Sequence, residues 1–215
     1  MYRFLCFNFV CLVTVFFNSE INGQNTYLFT VVDSITRYVA NNDFGNESAT
    51  DFEKLDLIYS FAVEVTDNNK SDALLALSMA LVPYRNVPLR FSVLNFSIGI
   101  PLIASETNIF EKKNTNLPSK MYLDRPNGQS GDKDKIAHFF GAAFIAYSLN
   151  SFEITDFIGY FVEVFEESFG ISKIDKRDLR TNRLGAEFGK ILRKQNVKPS
   201  QIIMFFNLKN ILLLL

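Results

Sequence analysis

Tryptophan is absent from these 215 residues, histidine occurs once and cysteine twice. Each scarcity removes a class of chemistry. Cys6 and Cys11 both lie in the N-terminal apolar stretch. A chain trimmed of that stretch has no disulfide, no thiol nucleophile and no thiolate metal ligand. The H-E-x-x-H spacing of helical zinc sites is missing, and His138 stands alone. G-x-S-x-G, a Walker phosphate loop and G-x-G-x-x-G are missing too, and Gly128-Gln129-Ser130-Gly131 fits none of them. Neither sign of charge dominates: 22 basic and 23 acidic residues leave a net charge of −1. The chain as a whole therefore carries no nucleic-acid footprint. No metal and no cofactor is expected.

What is present begins at the N-terminus. Arg3 precedes the apolar run Phe4–Phe17, and the next charge is Glu20. A basic start followed by roughly a dozen apolar residues has the form of an export signal. It is too short for a spanning helix, which needs about 20 apolar residues. Cleavage after Gly23 is expected, giving a chain that begins at Gln24 and resides in the periplasm or on the outer face of the cell envelope. The alternative is an uncleaved N-terminal anchor. Cys11 follows Asn8-Phe9-Val10 rather than small residues, so lipidation is not expected. About 190 residues then remain, enough for one domain with a real core.

Apolar residues spaced three and four apart predict a helix over 28–41. A second helix is predicted from Thr50 or Asp51 with Glu53 nearby, and a third from Ser71 to Val82, stopped by Pro83. These occupy an N-terminal helical part, 24–84. Residues 85–133 read as a β-rich segment, from the period-two alternation across 87–103, followed by a polar loop. Helices return over 136–149, 154–169 and 175–194, making a C-terminal helical module at 134–195. The apolar tail 196–215 reads as a late strand, an interfacial segment or an out-of-frame end. The expected fold is thus mainly α: a helical single domain with a small β-rich insertion and a C-terminal three-helix module.

That module carries the polar candidates. Asp134 suits an N-cap, Lys135 follows it, and His138 sits one turn into an apolar helix. Glu163 and Glu166 share one side of the next helix. Asp178 precedes Asn182, Gly185 and Gly189, which fall on one stripe of the last. Glycine in a helix interior costs about 1 kcal/mol against alanine. Two on one face therefore predict a close backbone approach, with Gly141, Ala142, Ala143 and Ala146 as the matching small face. His138 is expected to meet Glu163 or Glu166 there, beside Asn182. The ordinary role of a lone histidine on an apolar helix is a hydrogen-bonded core residue; the sharper one is an acid, base or ligand.

The order Asp134-Lys135-x-x-His138, Glu163-x-x-Glu166, Asp178-x-x-x-Asn182-x-x-Gly185-x-x-x-Gly189 resembles VanZ-like proteins and the YfiM-type periplasmic family, over residues 131–190. The resemblance implies a cell-envelope protein. Lys176, Arg180, Arg183, Lys190 and Lys194 form a basic stripe on the last helix. It is either a solvated face or a contact for anionic membrane lipids or another envelope polyanion. The expected function is a non-enzymatic structural or scaffold-like envelope protein, peripheral to a membrane. The alternative is a hydrolase or metal-dependent enzyme using His138 with Glu163 and Glu166.

Overall fold

A computed structural model describes residues 22–41, 49–91, 96–101, 106–126, 131–149 and 176–213. Seven helices make up its body: α1 (Asn22–Ala40), α2 (Asp51–Val65), α3 (Lys70–Ala80), α4 (Thr107–Asn116), α5 (Lys133–Leu149), α6 (Lys176–Leu192) and α7 (Pro199–Leu212). The helix expected over 154–169, with Glu163 and Glu166, and all of the expected export signal except Asn22 and Gly23, which open α1, lie outside the described residues.

Local chemistry fixes the helix starts. Thr50 and Glu53 form a reciprocal capping box, with the Glu53 amide donating to Thr50 Oγ1 at 3.2 Å and the Thr50 amide to Glu53 Oε2 at 2.7 Å. The third helix is capped by Asn69 rather than Ser71, through donation from the Ser71 and Asp72 amides to its side-chain oxygen. Between α2 and α3, Asp67 and Asn68 take positive φ, as short polar side chains tolerate. The tail is helical, not a late strand. Pro199 opens α7, and Asp56 of α2 accepts from the Ser200 amide at 3.0 Å and its hydroxyl at 2.6 Å.

The buried apolar residues form one continuous core cluster. Val32, Ile35 and Val39 of α1 meet Leu55 and Ile58 of α2 and Leu74 and Leu77 of α3 in one cluster. Phe139 packs edge-on to Phe140 at 5.3 Å and stacks on Phe188 at 5.4 Å, while Tyr59 meets Phe188 edge-on at 5.5 Å. These rings bind α2, α5 and α6 together.

The β-rich insertion expected over 87–103 is not part of this architecture, which is helical. Backbone pairing there amounts to one antiparallel ribbon, Asn86–Phe91 with Phe96–Pro101, which adds no sheet layer to the packed helices. Alternating residues can pair two short segments, but a lone two-stranded ribbon is marginal and cannot form a layer. The polar loop is corrected as well, since its first third is α4. Phe110 and Lys113 of that helix and Leu117 after it are buried.

Candidate functional site

The described candidates gather where α5 lies along α6. Gly131, at φ +50°, brings the chain so close to Ser119 that a β-carbon there would overlap the Ser119 carbonyl. This delivers Asp132, fully buried, to the start of α5. Its Oδ2 accepts from the Met121 and Tyr122 amides, each at 2.9 Å, and its Oδ1 accepts from the Arg177 guanidinium. Asp134, expected as the N-cap, lies instead in the first helical turn.

One turn on, the Lys135 ammonium pairs with Asp178 of α6 and, at 2.9 Å, with Asp134. Only 4% of the Lys135 side chain is exposed, so this is an interior pair rather than a surface one. His138 Nε2 stands 3.7 Å from Asp178 Oδ2, with about a quarter of its side chain exposed. That separation is beyond hydrogen-bond range.

Beyond the charges the backbones close up. A β-carbon on Gly185 would overlap the Phe139 carbonyl, and one on Gly189 the Ala143 carbonyl. Asn182 is buried on the same face. The contacts Asp132–Arg177, Lys135–Asp178, Phe139–Gly185 and Ala143–Gly189 advance together, so α5 and α6 run in the same direction. The expected close approach of Gly185 and Gly189 is present, against Phe139 and Ala143, but Gly141, expected on the matching small face, lies toward Ser78 of α3. Of the expected cluster, Asp134, Lys135, His138 and Asp178 come together with Asn182 nearby; Glu163 and Glu166 lie outside the described residues.

The sequence reading missed the second layer of charge. Arg180 makes a two-pronged pair with Asp124, at 2.8 and 2.7 Å, and lies 5.3 Å from the ring centroids of both Tyr122 and Phe206. Those donors hold the Asp124 carboxyl below the ordinary carboxylate range. Arg180 is thereby drawn out of the basic stripe, whose members Lys176, Arg183, Lys190 and Lys194 are exposed, as is Glu187 among them.

Lys113 was missed too. Almost wholly buried, its ammonium reaches the Ala80 carbonyl at 3.2 Å and the Val82 carbonyl at 2.5 Å, closing the end of α3, and lies 4.4 Å from the Phe110 ring centroid. Burial pushes its pKa down to about 7. The unfolded chain then binds a proton that the folded one releases. Stability from this group is full above about pH 10.5 and is lost as pH falls through 7. Wild type should gain up to about 3 kcal/mol between pH 7 and 9.5 relative to Lys113→Met. An unfolding free energy that changes by the same amount between the two pH values in wild type and variant would refute this.

A cleft of about 740 Å³ opens beside the cluster, walled by Pro83, Tyr84, Lys133, Asp134, Lys135 and Arg177; His138 does not line it. Among the described residues no group of three or more His, Cys, Asp and Glu side chains is placed to hold a metal. No helix among them is long and apolar enough to cross a membrane. No family model, curated protein or solved structure matches the chain.

Proposed function

We propose that this chain is an exported cell-envelope protein with a structural or scaffold-like role, peripheral to a membrane, in keeping with its resemblance to VanZ-like and YfiM-type proteins. One observation carries the non-enzymatic side of this reading: the buried Lys135 of α5 is paired with Asp178 of α6 across a close helix crossing, and with its own neighbour Asp134. The Lys135–Asp178 pair ties α5 to α6. The peripheral side draws support from the exposed apolar residues of α7, Met204, Phe205, Leu208, Ile211 and Leu212. Lys176, Arg183, Lys190 and Lys194 add a basic face suited to anionic lipid or another envelope polyanion.

The alternative, a hydrolase or metal-dependent enzyme built on His138, Glu163 and Glu166, needs the imidazole open to a cleft. The neighbouring cleft takes walls from Asp134 and Lys135. Fractionation of the native host tests the proposal. The protein should sediment with the envelope and be released by alkaline carbonate. Recovery in the cytosol, or retention in the carbonate-washed pellet, would contradict it.

A further inference from the structure

We infer that the outward face of α7 is the surface that docks on a membrane, and that the membrane it takes is an anionic one. The inference rests on the peripheral reading above and names its contact surface and lipid class. Met204, Phe205, Leu208 and Leu212 are 52, 71, 54 and 63% exposed. At 100° per residue they share one side of the helix, with Ile211 at its edge. The opposite side holds Ile203, fully buried, and Asn207, whose side-chain amide donates to the Met121 carbonyl at 2.7 Å. The helix is thus fastened from behind and bare in front.

Fourteen residues are too few to span a bilayer but enough to lie in its interface. Charge selects the occupant. From residue 193 to 213 the chain carries Arg193, Lys194, Lys198 and Lys209 and no acidic residue. All four are exposed. Apart from Gln201 and Lys209 the outward face has no polar group with which a protein partner could set a register. A fluid surface of anionic headgroups over acyl chains needs no register. It accepts lysines at the rim and apolar side chains beneath.

Because the wild-type chain has no tryptophan, Leu208→Trp in the full chain places a sole indole on this face. Phe205→Trp is the second reporter should the first misfold. With vesicles of phosphatidylglycerol and phosphatidylcholine, the emission should shift to the blue and be quenched by brominated acyl chains. Pure phosphatidylcholine should give little response. Lys194→Gln with Lys209→Gln should weaken partitioning by about 30-fold. An indole that stays solvent-like with anionic vesicles would overturn the inference. So would shielding from iodide before any lipid is added: lost on dilution, it means a second copy covers the face; retained, another part of this chain does. The readout is local to α7, so failed docking leaves the host-fractionation result standing, and a cytosolic location leaves the lipid titration standing.

Discussion

Gly185→Leu should lower the unfolding free energy by about 3 kcal/mol, the upper range for overpacking a dense interior. The obstacle is backbone. A β-carbon at this position already overlaps the Phe139 carbonyl, and no rotamer moves a carbonyl that is part of α5's hydrogen-bond ladder. The helices must separate, and the Phe139–Phe188 stack at their interface must open with them. Gly141→Ala supplies the contrast. Among the described residues the added carbon there meets only the Ser78 β-carbon, at 3.7 Å, so helix propensity decides and stability should rise by about 0.5–1 kcal/mol. Urea midpoints moving in opposite directions would establish that the cost belongs to the crossing and not to helical glycine in general.

Lys135→Met should cost about 3–5 kcal/mol, because it leaves Asp178, itself buried, without its ammonium. Asp134 could not compensate, being of like charge. The loss is read as unfolding free energy by urea denaturation at neutral pH. A loss of under 1 kcal/mol would mean that Lys135 and Asp178 are solvated in solution.

How much of this was legible depended on how local each signal was. Thr50 and Glu53, three apart before an apolar run, announce a capping box without tertiary help. Gly185 and Gly189, four apart, announce a close approach because a helix tolerates glycine only where something gains from it. Asp132 and Arg177 could not be found this way. Their pairing requires the loop at 117–126 to fold back, so that its Met121 and Tyr122 amides meet the carboxylate. The helix α4 was hidden because it lies at the start of a long polar stretch that carries Pro118, Pro126 and Asn127-Gly128 further on. Asn114 and Asn116 in fact donate to the backbone carbonyls of Pro83 and of Val39 and Ala40. The helix α7 is apolar on both faces, which erases the 3.6-residue period; Pro199 at its start was the readable sign. Alternation across 87–103 is a local signal as well, but it cannot tell a layer of the fold from a self-contained ribbon.

The claim that the polar cluster is a clasp between α5 and α6 is tested most directly by a double-mutant cycle on Lys135→Met and Asp178→Leu, read as unfolding free energy. A clasp predicts that each single change is costly and that the double variant recovers much of the loss, since two apolar side chains can replace a buried pair. The coupling energy should be about 2–3 kcal/mol. Costs that add to within about 0.5 kcal/mol would contradict the account, placing the two charges in separate roles.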